Sequence, residues 1–193
     1  MKRILFLLFT AIACTAQAQT SFSENSIGAI KLGAGYVHDF PGLNGAGAFA
    51  EYSFPLNEWL QGGVGVKRIQ TAGYPRTQTV QEYTKATTLD FNLLFVPFHT
   101  DNSAFRIGAG YSFSFYNIRR SYAVYAVHTD LPSTTGPSSW LVQDAKGRLS
   151  GASLIAEYEY YFQNSFSAGA RIMLCKAYIN NVVLGGPFVS MRF

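Results

Sequence analysis

Charge is the scarcest property of this sequence. Lys, Arg, Asp and Glu make up 13% of its 193 residues, against roughly a quarter in a typical soluble domain. That is too little to coat an ordinary water-facing surface. Cysteine is equally sparse: Cys14 and Cys175 are the only two, which excludes a disulfide-stapled scaffold. Beyond residue 18 no run approaches the ~20 apolar residues of a membrane helix. The spacing of His, Cys and acidic residues suggests no metal site, and no glycine-rich segment links a strand to a helix to cradle phosphate. No cofactor is expected.

The formal charge of +4 rests on 15 Lys and Arg against 11 Asp and Glu. Lys2 and Arg3 supply two of those bases, in a segment expected to be removed. The remaining excess is too small to argue for nucleic acid as a partner. Residues 1–18 read as a secretory signal peptide: Lys2 and Arg3, the apolar run Ile4 to Ala13, then the small-x-small site Ala16-Gln17-Ala18. A lipoprotein signal ending at Cys14 is the alternative, although Ala11 stands where such signals usually carry Leu. On the first reading residues 19–193 form one domain.

What the sequence has in quantity is aromatic side chains, 16%, and glycine, 18 residues, arranged with a period of two. In Ala104–Asn117 the odd positions 105 to 115 are Phe, Ile, Ala, Tyr, Phe and Phe. They alternate with Arg106, Gly108, Gly110, Ser112, Ser114 and Tyr116. In Leu149–Phe162, Ala152, Leu154, Ala156, Tyr158, Tyr160 and Phe162 alternate with Ser153, Ile155, Glu157, Glu159 and Tyr161. The same rhythm runs through Ile27–His38, Gly45–Phe54, Trp59–Gln70, Tyr83–Phe98, Phe166–Cys175 and Val182–Phe193. Such sustained alternation is a strand signal.

Eight strands with every second residue apolar and few charges predict an all-β, eight-stranded antiparallel up-and-down transmembrane β-barrel. The polar phase is largely Gly and Ser, as if space there were limited, and aromatics gather toward strand ends as girdles do. A soluble lipocalin-like barrel, its apolar phase turned inward around a lipophilic ligand, is the opposite assignment. The links Pro55–Glu58, His99–Ser103 and Gln163–Ser165 are short. Asp39–Asn44, Thr71–Glu82, Ile118–Arg148 and Lys176–Asn181 are expected on the outer side.

The run TTLDFNLLFVPF (Thr87–Phe98), followed by FRIGAGYSFSF (Phe105–Phe115), resembles the bacterial outer-membrane β-barrel domain family related to PorT-type proteins. The family's Leu-Glu-Ile-Pro-Leu is matched loosely by Leu89-Asp90-Phe91-Asn92-Leu93. The ending VVLGGPFVSMRF resembles the last strand of outer-membrane barrels, which implies that Phe193 forms part of the signal read by the barrel-assembly machinery. The resemblance implies a monomer in the cell outer membrane, surrounded by outer-membrane lipid, with an envelope protein as a further partner.

Two sets of residues are candidates for function. The inward phase holds Lys31, Lys67, Arg106, Arg171 and Arg192 with Glu51, Asp90, Glu157 and Glu159, expected to pair as a polar network that closes the lumen; a narrow solute conduit is the alternative. The third outer link carries Arg119, Arg120, Tyr122, Tyr125, His128 and Trp140, residue types favoured at binding surfaces, and is expected to meet lipopolysaccharide, surface polymers or another envelope protein. Alternatively YAVYAV in this link prolongs the fifth strand above the membrane. No catalytic residues are expected. His128, Asp130 and Ser133 or Ser138 are close only in sequence, and no His-x-Ser-Asn motif of lipid A deacylases is present.

Overall fold

A computed structural model describes residues 28–40, 42–74, 81–124, 139–162, 165–177 and 180–193. The expected leader, residues 1–18, lies outside them, as do Tyr125 and His128. The described chain is eight strands: β1 (Ala29–Asp39), β2 (Leu43–Pro55), β3 (Leu60–Gly73), β4 (Glu82–Thr100), β5 (Ser103–Val124), β6 (Ser139–Tyr161), β7 (Phe166–Ala177) and β8 (Asn180–Arg192). Each pairs antiparallel with the next, and β8 returns to β1 to close the barrel.

The partners around the ring run Ala29, Ser53, Gly63, Asn92, Gly110, Ser153, Cys175, Val182 and back to Asp39. One circuit therefore climbs β1 from Ala29 to Asp39, a stagger of ten residues. Such a stagger on eight strands tilts them steeply against the axis and leaves an interior that side chains can fill.

Alternation decides which side chains fill it. Lys31, Glu51, Lys67, Asp90, Arg106, Glu157, Glu159 and Arg171 are all buried. Leu154 is 61% exposed, Val189 60% and Ile172 59%, and Leu32, Val66, Leu93, Ile107 and Phe113 share that outer face. Charge inside and large apolar side chains outside invert the order of a soluble protein. The lipocalin-like alternative is corrected here, because its apolar phase would have to point inward. The exterior is a belt for hydrocarbon, and strands cross a membrane only when closed in this way.

The tight connections share one rim. Asn57 Oδ1 accepts hydrogen bonds from the backbone N–H of Trp59 (2.8 Å) and Leu60 (2.9 Å) between β2 and β3. Thr100 Oγ1 accepts from Ser103 N at 3.0 Å between β4 and β5. Above this rim Val96 and Pro97 bulge out of β4, where the register with β5 shifts between Phe95 and Phe98, a place that tolerates a proline lacking a ladder donor. Aromatics ring the exterior here: Tyr52 stacks on Phe54 at 5.9 Å and on Phe193 at 6.3 Å, and Trp59 on Phe95 at 6.2 Å. At the opposite rim the β1–β2 turn uses Gly42 at φ 100°, its N–H bonded to Asp39 O at 2.7 Å.

The third outer link is shorter than its expected span, Ile118–Arg148. β5 and β6 remain paired up to Val124 and Ser139, so Arg119, Arg120, Tyr122 and Trp140 are strand residues. β4 follows β5 only as far as Arg119, and β7 joins β6 only at Ser153. The upper parts of β5 and β6 therefore project from the barrel as a two-stranded ribbon. The alternative that YAVYAV prolongs the fifth strand holds as far as Val124, where β5 ends; elsewhere in the ribbon, whose two faces both leave the membrane, apolar alternation fades and the segment reads as a loop.

The β1–β8 seam depends on small residues. A Cβ at Gly186 would stand 2.2 Å from Ala34 O, and one at Gly35 2.2 Å from Gly185 O. Gly186→Val is expected to push the closing strands apart and lower the thermal midpoint of the β-sheet circular dichroism signal. Gly185→Val, where an added Cβ meets nothing nearer than 3.8 Å, should change it little. Equal melting of the two variants would contradict this account of the seam.

Candidate functional site

The lumen is stacked in layers. Nearest the short-turn rim, Glu157 on β6 accepts hydrogen bonds from three cations on three other strands. Lys31 Nζ is 2.5 Å from its Oε1, Arg106 Nη1 is 2.9 Å from the same oxygen, and Arg171 Nε is 2.7 Å from Oε2. Arg171 also grips Glu51 through Nη1 at 2.9 Å and Nη2 at 2.7 Å. Arg106 reaches Glu159 at 2.5 Å and the Tyr161 hydroxyl at 2.6 Å, while Ser167 donates to Glu159. Asn92 Nδ2 donates to Glu51 at 2.6 Å. Three bases and three acids balance, which such burial demands: a charge kept from water without partners costs several kcal/mol.

Arg192 completes the floor differently. Its guanidinium lies 3.7 Å from the Tyr161 ring centroid, a cation–π contact, and it makes no salt bridge with these acids. A cavity of about 20 Å³ remains among Lys31, Gln61, Arg106, Glu159, Tyr161 and Arg192, polar and about the size for one water.

Above the ionic floor sits an aromatic lid. Arg171 lies 4.7 Å from the Phe49 centroid and 5.7 Å from Phe188, and the rings are 6.5 Å apart. The cluster continues through Val37, Ile69, Ile155, Met173, Cys175, Val182 and Leu184. This apolar layer was not expected inside the barrel. Its signal was nonetheless present, since Val37, Met173, Val182 and Leu184 occupy the same strand phase as Lys31, Arg171 and Phe188. Beside it Lys67 and Asp90 pair at 3.0 Å, and Ser112 donates to Asp90 at 2.6 Å.

A second polar cluster closes the ribbon end. Arg120 Nη2 donates to Asp39 Oδ2 at 2.7 Å and to Thr84 Oγ1 at 2.8 Å, and Ser121 donates to Glu82. Arg120 was expected among the outer binding residues. It is corrected here to a buried lumen residue, because it shares the phase of Arg106 and Ser112 along β5. Asp39 and Glu82, at the ends of the expected links Asp39–Asn44 and Thr71–Glu82, belong to this cluster by the same rule.

Arg119, Asp144 and Tyr122 are ribbon residues on the outside of this cluster. Arg119 forks onto Asp144, with Nε 2.8 Å from Oδ1 and Nη2 2.9 Å from Oδ2. That hydrogen bond and the adjacent charge hold the Asp144 carboxyl below the usual carboxylate range. Tyr122 is exposed, and Trp140 occupies the strand position opposite Ala123. Tyr125, His128, Asp130, Ser133 and Ser138 lie outside the described residues. Among the described residues no group of His, Cys, Asp and Glu is arranged to hold a metal ion.

With this geometry in view, known proteins offer a comparison. Neisserial surface protein A superposes with a TM-score of 0.50 at 12% identity, covering 87% of this chain and 96% of that one. Ail, the attachment invasion locus protein of Yersinia pestis, gives 0.49 at 12%, covering 86% and 97%. The N-terminal β-barrel domain of Pseudomonas aeruginosa OprF gives 0.48 at 12%, covering 88% and 100%. The chain has the fold of the small bacterial outer-membrane barrels. At these identities the likeness is one of fold alone. No protein-family model matches the sequence, and no curated protein matches it.

The Glu157 hub yields a stability prediction. Glu157→Gln leaves Lys31, Arg106 and Arg171 facing only Glu51 and Glu159, and is expected to destabilise the folded barrel by about 3–5 kcal/mol in a urea titration in lipid vesicles. Glu157→Gln combined with Arg106→Met should recover part of that loss. A single variant as stable as the parent would contradict the hub.

Proposed function

We propose that this outer-membrane barrel is a non-enzymatic binding protein of the cell envelope, and that the projecting β5–β6 ribbon is its binding element. The ribbon itself carries the reading. With the short turns on the periplasmic rim, as is usual in such barrels, the ribbon points outward. Tyr122 (43% exposed), Leu141 (59%) and Val142 (43%) stand on it, beyond the part of β6 that β7 covers. Exposed apolar side chains above a membrane belt mark a contact surface, and an uncovered strand edge is a template for a further strand. The partner class is an envelope protein or a surface polymer. The PorT-type resemblance favours an envelope protein, one belonging to a secretion or gliding apparatus.

The alternative of a solute conduit has less support. Ionic clusters fill both ends of the barrel, and between them Phe49, Phe188, Val37 and Met173 pack beside the Lys67–Asp90 pair, so side chains occupy the lumen along its length. On this reading neither Arg106→Ala nor Glu157→Ala makes the protein conduct ions in a planar bilayer. A steady conductance in either variant would favour the conduit.

The binding reading is tested with a photo-crosslinking residue at Leu141 and a control at Leu93 in the lipid belt. Crosslinks to one protein or polymer are expected at position 141 in intact outer membranes and not at 93, and Tyr122→Ser should reduce them several-fold. Crosslinking at both positions to lipid alone would refute the ribbon as a binding element.

A further inference from the structure

The outward-facing charges are distributed unevenly. Among the described residues the exterior bases are Arg68, Lys85, Arg119, Lys146, Arg148 and Lys176, all toward the ribbon end of their strands. The remaining described bases point into the lumen. The exterior of that half holds one acid among the described residues, Asp144, and Arg119 occupies it. Toward the short-turn rim the described exterior charges are Glu58 and Asp101, both in turns.

Barrel geometry places four of the six bases at one height. A stagger of ten residues spread over eight strands means that level positions drift from hydrogen-bonded partners by little more than one residue per strand. Corrected for this drift, Arg68 on β3, Lys85 on β4, Arg148 on β6 and Lys176 on β7 fall within about two residues of the level of His38 on β1, or about 7 Å along a strand. Arg119 and Lys146 stand higher, on the ribbon. Below the four lies the apolar belt, including Val66, Leu89, Phe113, Leu154, Ile172 and Leu174. The four thus form a collar where hydrocarbon gives way to headgroups. No described carboxylate makes a salt bridge with any of them.

One sector of the collar also has the shape for a lipid. Arg68 lies opposite Thr87, and Gln70 opposite Lys85, which makes Arg68 and Lys85 diagonal neighbours across two strands. Next to Arg68 a groove of about 590 Å³ opens on the barrel exterior over Ala34, Ala46 and Ala48, with Asn44 and Gln70 at its upper edge. The alanines leave room for a chain against the wall; Arg68 lines the groove, and Lys85 stands just beyond it on β4, opposite Gln70.

We propose that this collar, centred on Arg68 and Lys85, binds a phosphorylated glycolipid of the outer leaflet, with phosphate on the two bases and an acyl chain over the alanine groove. Paired bases at the headgroup level suit a headgroup carrying more than one phosphate, and amide and sugar groups suit Asn44 and Gln70. The assignment rests on the outward orientation of the ribbon given above.

The test uses the full folded chain in uncharged detergent micelles, with lipid binding read by native mass spectrometry. Diphosphorylated lipid A is expected to bind more tightly than dephosphorylated lipid A of the same chains and than phosphatidylglycerol. Arg68→Gln and Lys85→Gln should each weaken it by about fivefold, the effect of one base near an anionic surface. Lys146→Gln, above the collar, should change it little. Equal binding of the dephosphorylated lipid or of phosphatidylglycerol would overturn the proposal, as would unchanged binding by the Arg68→Gln, Lys85→Gln double variant. The orientation is read separately by labelling Leu141→Cys on intact cells with a membrane-impermeant thiol reagent. Absence of label would refute the outward ribbon whatever the micelles show, whereas labelling without phosphate dependence would refute the collar alone.

Discussion

Glu157 receiving three cations is the interaction on which the rest of this barrel depends. Its partners come from β1, β5 and β7, so a single carboxylate ties strands that are not all neighbours in the wall. The wall itself is held by backbone bonds, which fix neighbouring strands but are indifferent to what occupies the middle. The stagger of ten sets the interior width, and the charges fill it. Because Arg171 binds Glu51 and Glu157 at once, β2 and β6 are joined across the lumen as well. A slip of one residue in any of these strands would send its charge into the membrane and an apolar side chain into the ionic floor.

The same constraint explains why the lumen is layered. Ion pairs need near-complete matching, and six groups in the floor achieve it. Farther up, the inward positions of β1, β7 and β8 are Val37, Met173, Val182 and Leu184, which need no partners. Polar groups return where Asp39, Thr84 and Arg120 approach the outer rim. The surfaces this packing leaves free are the ones proposed for binding: the collar of bases around the wall and the ribbon above it.

Much of this was legible in the sequence because alternation carries its own geometry. The long runs 104–117 and 149–162 assigned Arg106, Glu157 and Glu159 to one face, and the structure brings those side chains together. Ile118–Arg148 was harder, because a ribbon above the membrane has no lipid face to enforce the pattern, and Gly, Ser and charged residues there resemble a loop. Arg120 was misplaced for that reason alone: carried past Asn117, the phase of Arg106 leads directly to it. The inward apolar layer was hidden by equating the inward phase with polarity, which Val182 and Leu184 do not obey. The basic collar was hidden for a different reason. Arg68, Lys85, Arg148 and Lys176 are far apart in sequence, and only the stagger of the strands brings them to one level.

The central claim is that this barrel is apolar outside and charged within, and nitroxide labels test it most directly. In a Cys175→Ser background, cysteine is placed in turn at Ala152, Leu154 and Ala156, labelled, and the folded protein reconstituted into bilayers. The account predicts that apolar oxygen relaxes all three labels more effectively than a water-soluble nickel chelate, most strongly at the position nearest mid-membrane. Stronger relaxation by the chelate at all three positions would mean that this face meets water, and would contradict the account.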